Sequence, residues 1–557
     1  MPEFNFIGGS YQAESLTEDA QTCYNLYLSR DESGAGKSKG MLLGTPGLTL
    51  LATLPTSPIR ALWAGGSAYT DSSRIFCVAG SKLYELNATG GIVGGTNRGD
   101  VGNNGLPAQI FVNTADGGNQ LMIISDGQVY IDGGGAANGA NAVAQTFSAS
   151  AYSGTVSATG GSAAITWVTG DMFDQFLVGA TIELNYVPYT VGTVLDSTHL
   201  VLTSSYAVSG FTPSLPYSAS VSGANVTASC GGFLDGYFLA VQPESNKFFF
   251  SAINDGTQWS TLDYGAKQGN ADHTVAMLVD HELMWFFGDE TTEAWQDTGA
   301  SPPAIPFSRV SGGFAQIGIV SPTACSRFNN GVAWIGLDYR GTVAAWYAQG
   351  LTPTRISTHA LEDIWADYNA LNDVTSYTYQ QGGHVFWVVH FPTGGQTWVY
   401  DATEQLWHQR GSLVSGAQGP WRARFHCYAF GTHVAGDYNN GNVYAMDHRV
   451  YTENGAAITR QRAAPYISHE NKWTFCSRFR LDAENSGALN PLLDWSDDGA
   501  VTFIDQTGTT SNTAGALAQY DWRRLGKFRS RVFRITVTAA VKVAFINAYV
   551  EVAGGDT

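Results

Sequence analysis

The chain has 557 residues, enough for a large core and more than one domain. Its 65 glycines, 12% aromatic and only 14% charged residues fit short strands and many turns, and exclude an architecture of long amphipathic helices. A net charge of −18 argues against nucleic-acid binding, which needs clustered cations to displace counterions.

The N-terminus MPEFNFIGGS has no basic stretch followed by an apolar one, so no export signal is expected. No segment reaches the length of a membrane span. Cys23, Cys77, Cys230, Cys325, Cys427 and Cys476 are far apart and form no CxxC pair. They read as reduced, buried thiols.

Residues 31–38, DESGAGKS, end like a phosphate-binding loop. Its opening glycine would fall at position 31, where Asp31 stands, and the run that follows holds Gly40, Gly44, Pro46 and Gly47. A phosphate loop must leave a buried strand and open a helix, so this segment reads as a polar surface turn. GKSKG (36–40) also fits the hydrolase elbow pattern, and lacks the same strand-and-helix context around Ser38.

From residue 59 onward, strand-and-turn units recur. RIFCVAGSKLYELNATGG (74–91) and QLMIISDGQVYIDGGG (120–135) come first. WFFGDETTEAWQDTG (285–299), WIGLDYRGTVAAWYAQG (334–350), FWVVHFPTGGQTWVYDATEQLWHQRG (386–411) and HCYAFGTHVAGDYNNGNVYAMD (426–447) follow. Hairpin units at this spacing predict an all-β fold, an irregular β-propeller of about six blades. The expected division is an N-terminal arm with the first propeller strands (1–58), propeller (59–149), an inserted domain (150–230), the remaining blades (231–471) and a C-terminal β-sandwich-like module (472–557). The insertion has no Lys or Arg and four acidic residues, and alternates as a small barrel or sandwich would.

HELMW (281–285) opens like a zinc-protease helix, but the second histidine is replaced by Trp285. His384 and His390 share a strand face without further ligands nearby in sequence, so no metal or cofactor is expected. SDDGAVTF (496–503) resembles the Asp box of sialidase propellers, and reads as a structural turn of Ser496, Asp498, Thr502 and Phe503. One copy is present where such enzymes carry several. The segment 521–534 holds six basic residues: Arg523, Arg524, Lys527, Arg529, Arg531 and Arg534. From Arg449 onward the chain has 13 basic and 11 acidic residues, leaving 29 − 13 = 16 basic and 47 − 11 = 36 acidic before it, a net of −20. The basic run is therefore a candidate docking surface for an acidic partner, with a solvated strand face as the plain alternative.

IGGSYQ (7–12), CYNLYL (23–28), GTPGL (44–48), FFFSAINDGTQW (248–259), FFGDETTEAW (286–295) and IPFSRVSGGFAQIGIVSP (305–322) stand in one order with WIGLDYRGTV (334–343), TPTRISTHALED (352–363), TWVYDATEQLWHQR (397–410), DWSDDGAVTF (494–503) and RRLGKFRSRVFRI (523–535). In their number and order they resemble the tail-hub, or nozzle, proteins of short-tailed phages, also called packaged DNA stabilisation proteins. The resemblance implies a non-enzymatic virion protein that is assembled in the host cytoplasm and sits in the tail. It implies a homo-oligomer, a six-membered ring, placed below the portal-adaptor ring. Tail fibres or spikes and a needle or plug would be the other neighbours, with DNA passing by without tight binding and no insertion into a membrane. The competing expectation is a carbohydrate-binding or glycan-hydrolysing propeller.

Overall fold

A computed structural model describes residues 5–555, apart from 34, 37, 39, 66–73, 87–93, 114–119, 134–141, 148–149, 174–176, 222–223, 271, 301, 303, 339, 415 and 507–508. Among the described residues there is one α-helix, His359–Ala366, and the rest of the regular structure is strand. Tight two-residue turns close many hairpins, with both central residues at positive φ: Asp126-Gly127, Asp235-Gly236, Asn329-Asn330 and Asn454-Gly455. Such turns match the right-handed twist of the strands they join.

The hairpins build blades, each a four-stranded antiparallel unit. Blade 1 runs from Ile59–Gly65 to Gly95–Asp100, and blade 2 from Gln109–Val112 to Val143–Ala144. Blade 3 runs from Cys230–Leu234 to Asp255–Ala266, blade 4 from Thr274–Asp280 to Phe307–Ala315, and blade 5 from Cys325–Phe328 to Pro353–Arg355. Blade 6 spans Thr375–Gln381 to Leu406–Val414 and is continuous with a larger sheet. Blade 7 combines Ala423–Ala429, Thr432–Asp437 and Asn442–Asp447 with Gly47–Thr53 from the other end of the chain. The first strand of each blade contacts the first strand of the next, and blade 7 returns to blade 1. The fold is thus an all-β propeller. Six of its blades are small separate sheets, and the seventh unit is the blade that runs on into the larger sheet.

Burial between blades explains the tryptophan spacing. Trp285, Trp334, Trp387, Trp398 and Trp407 share one core with Trp365 of the helix. Thr358 caps that helix, its side chain accepting from the Leu361 N–H. Trp365 then stacks on Phe391 at 5.2 Å. A fully buried aromatic of this size contributes on the order of 2–3 kcal/mol through area removed from water.

Between blades 2 and 3, six strands from Ser150–Thr159 to Phe211–Val221 close into a barrel. Its core includes Val156, Ile165, Leu177, Ile182 and Leu200.

The third unit is a two-sheet sandwich made from both ends of the chain. One sheet orders Leu26–Arg30, Gly40–Gly44, Ala544–Gly554, Thr474–Glu484, Leu517–Arg523 and Thr510–Ala514. The other places Ala20–Tyr24, Arg460–Ala463, Ser530–Val537 and Leu492–Ser496 side by side, and joins blade 6 through the parallel contact of Tyr24 with Gln409. Phe6, Leu26 and Leu42 pack with Phe479, Trp522, Phe533 and Phe545 in a single core. The first part of the N-terminal segment is therefore built into the sandwich, and Gly47–Thr53 supplies a propeller strand. Arg462 fastens it, donating to the carbonyls of Phe6, Gly9 and Thr22.

Candidate interaction surfaces

The segments that look catalytic in sequence fold into turns. DESGAGKS joins Leu26–Arg30 to Gly40–Gly44, two antiparallel neighbours, with no helix after it. Asp31 Oδ1 accepts from the Ser33 N–H at 3.0 Å, and Oδ2 accepts from the Gly36 N–H at 2.5 Å. The carboxylate occupies the N–H groups that a phosphate would need. These bonds, led by that from the Ser33 hydroxyl, hold its pKa below the usual carboxylate value. Lys37 and Lys39 lie outside the described residues.

HELMW opens with the hairpin turn His281-Glu282, with φ of 45° and 65°, and its Leu283, Met284 and Trp285 begin the strand Leu283–Gly288, which pairs with Thr274–Asp280. His384 bonds Asp401 through Nδ1 at 2.7 Å, and His390 meets the Thr397 hydroxyl at 3.0 Å between the Tyr377 and Trp421 rings. Burial pushes His390 down to about 3. In the turn 496–503, Asp498 Oδ1 accepts from the Val501 N–H at 3.2 Å and the Thr502 N–H at 2.9 Å. The Ser496 hydroxyl accepts from the Ala500 N–H at 2.9 Å. Phe503 lies beneath Arg534, 3.5 Å from ring centre to guanidinium.

The propeller axis is bridged at one end. Gln109 opens the inner strand of blade 2, and Pro322 precedes that of blade 5, across the ring. Gln109 donates to the Pro322 carbonyl at 3.2 Å and accepts from the Gly231 N–H of blade 3 at 3.2 Å. A cavity of about 230 Å³ lies beside it, lined by Leu106, Pro107, Ile124, Pro243 and Pro322 among others. Among the described residues that line it, Asp126 is the one carboxylate and none is aromatic.

The basic run divides in two. Arg531 is 2% exposed and grips Asp497 with Nε and Nη2, both at 2.6 Å, while its guanidinium covers the Trp495 and Phe528 rings. Arg534 bonds Asp494 at 3.0 Å. Both charges are used inside the sandwich. Arg523, Arg524, Lys527 and Arg529 are exposed. Lys527 and Arg529 flank the partly buried Trp473 at 4.4 and 5.0 Å, beside Phe475, which is 52% exposed. Trp473 and Phe475 escape a charge-based reading because they lie some fifty residues upstream, and the antiparallel pairing of Phe475 with Lys527 brings them in.

A second surface gave no sequence signal. Asp235 and Glu282 occupy the first hairpin turns of blades 3 and 4, and Asp297 ends the third strand of blade 4. Desolvation, with Asp297 and Glu282 beside it, raises the pKa of Asp235. Tyr237 is raised by desolvation and then by Asp297 and Asp263. Among the described residues no Lys or Arg forms an ion pair with any of these four carboxylates.

These features define a propeller with an inserted barrel and an appended sandwich, whose enzyme-like motifs are structural turns. Residues 4–451 match the family model Phage_stabilise, described as "Bacteriophage P22 Gp10, beta-propeller", and the chain belongs to that family of phage structural proteins. No curated protein matches the chain. Among solved structures, the N-terminal domain of Nup159 is similar at 8% identity and a TM-score of 0.34, covering 76% of this chain and 98% of its own. The WD40 domain of SCAP from fission yeast is similar at 8% and 0.29, covering 72% and 97%. An exo-beta-1,3-galactanase from Phanerochaete chrysosporium follows at 9% and 0.23, covering 89% and 99%. Likeness at these scores carries no functional weight.

Proposed function

We propose that the chain is the nozzle, or tail-hub, subunit of a short-tailed phage. Copies form a ring below the portal-adaptor, retain packaged DNA, and enclose the passage through which it leaves. The family match over residues 4–451 carries this reading.

The geometry supports a passage between subunits rather than through each propeller. A duplex whose major groove alone is about 12 Å wide cannot pass a point that a glutamine side chain spans. The net charge of −20 before Arg449 suits a wall that DNA slides past, since a cationic lumen would grip phosphates with strong salt dependence. The protein is read as non-enzymatic because it belongs to a family of phage structural proteins.

Electron microscopy of the purified protein, alone and with portal-adaptor rings, tests the reading beside a glycan-hydrolysis assay. Rings or added density below the adaptor with no sugar release are expected. A monomer that ignores the adaptor and releases sugar would replace the nozzle by a carbohydrate-active propeller.

A further inference from the structure

The exposed cations belong to the sandwich, and the carboxylates, which form no ion pair with Lys or Arg among the described residues, belong to blades 3 and 4. The sandwich is continuous with blade 6, and the strand that leads out of it, Gly47–Thr53, completes blade 7. Blades 3 and 4 stand across the ring from these two. The surface carrying Arg523, Arg524, Lys527 and Arg529 is thus attached at blades 6 and 7, and the one carrying Asp235, Asp263, Glu282 and Asp297 belongs to blades across the ring from them. Each includes exposed apolar side chains. Phe475 adjoins the cations. Ile253, 59% exposed, lies against the Gly236 turn beside Asp235, and Leu262, 70% exposed, precedes Asp263.

We propose that the cation–aromatic pole of one copy docks on the acidic turns of blades 3 and 4 in the next copy. The occupant of each surface is a second copy of this chain, selected by charge complementarity between the cations of the sandwich and the carboxylates of blades 3 and 4. A contact between two different surfaces is heterologous, and repeated copies close into a ring when the rotation closes. An apolar and aromatic centre with charges around it is the composition of a specific interface. Unpaired like charges repel while the face is free, and the incoming cations relieve that repulsion. Arg531 and Arg534 are excluded, being committed to Asp497 and Asp494. The inference rests on the ring-forming reading and names the two surfaces that would meet.

Charge reversal tests it. One variant carries Arg523→Glu and Arg529→Glu, the other Asp235→Lys and Glu282→Lys; all four positions are outside the cores, so melting temperatures should match the wild type. Sedimentation velocity at low ionic strength is expected to show wild-type oligomers and about tenfold or more weaker association for each variant alone. Mixing the two variants should restore assembly, because each reversed surface then meets its complement. Lost assembly in the singles without rescue in the mixture would overturn the proposal, as would variants that assemble like the wild type. Wild-type protein that stays monomeric in solution yet joins tails would sink the self-docking and leave the nozzle reading intact. Failure to join tails at all would remove that reading. Steeply salt-dependent binding of a labelled DNA, lost on reversing the cations while association is unchanged, would reassign the basic pole to nucleic acid.

Discussion

Arg531 and Asp497 form a two-pronged ion pair, both contacts at 2.6 Å, beneath which Phe528 and Trp495 present their ring faces to the guanidinium. Arg529, two residues earlier, is exposed beside Trp473. Equal charge at equal parity thus serves opposite ends. Arg531→Glu places a carboxylate against the partly exposed Asp497 and strands it among aromatic rings, so a loss on the order of 3 kcal/mol is expected from burying an unpartnered charge. Arg529→Glu should change stability by no more than about 0.5 kcal/mol. Urea denaturation of the two single variants measures both; similar midpoints would show that Arg531 is not structural.

Asp498 holds the turn 496–503 by accepting from the N–H groups of Val501 and Thr502 and from the Thr502 hydroxyl. The Thr502 hydroxyl is the first cause that lowers its pKa to about 2. A carboxylate lowered on folding stabilises the native state above its ordinary value near 3.9, and that contribution fades as pH falls toward 2. Asp498→Asn should lower the melting temperature at neutral pH and flatten its acid dependence between about pH 4 and pH 2. An unchanged pH profile would show that the turn does not depend on the carboxylate.

The paired sheets that repeat locally are legible in sequence, because each hairpin carries its own turn residues and aromatic alternation. Closure of the ring is not. Gly47–Thr53 pairs with Asn442–Asp447, and nothing within either strand names a partner at that distance along the chain. The same holds for Leu42 against Phe545 and for Cys23 against Arg462, which place the first strands in the sandwich. Of the basic run, composition reveals the charge but not its use. Asp494 and Asp497 lie more than thirty residues before the arginines they neutralise, and only the strand register brings them together. The acidic turns of blades 3 and 4 were invisible for a similar reason, since each is an ordinary hairpin turn until the blades stand side by side.

Blades 6 and 7 meet over a buried His390 and a partly buried His426–His433 pair. His390 packs between Tyr377 and Trp421, and His426 bonds His433 at 3.0 Å. Desolvation lowers His390 and His426 to about 3, with Arg424 and Arg410 adding to the first and His433 to the second. The unfolded chain binds their protons near pH 6.5, the native state only near pH 3, so stability is full above about pH 6.5 and declines as pH falls through that window. Thermal melts from pH 7 to pH 4 should show this decline, with His390→Gln reducing its slope. A melting temperature flat across the range would mean that these side chains are solvated in the native state.

Asp31 is the one residue that separates DESGAGKS from a complete phosphate-loop pattern, and Asp31→Gly supplies the missing glycine. The surroundings forbid the function all the same. A phosphate site of this kind needs N–H groups presented at the start of a helix, and here the segment returns directly into the antiparallel strand Gly40–Gly44. Asp31→Gly is therefore expected to bind no ATP in a fluorescent-nucleotide titration. It removes the acceptor for the Ser33 and Gly36 N–H groups, so faster amide exchange confined to the hairpin 26–44 is the expected effect. Lys37→Ala should leave assembly and DNA ejection as they are in the wild type. Saturable nucleotide binding by Asp31→Gly, lost again on adding Lys37→Ala, would show that the carboxylate alone had been keeping a phosphate site closed.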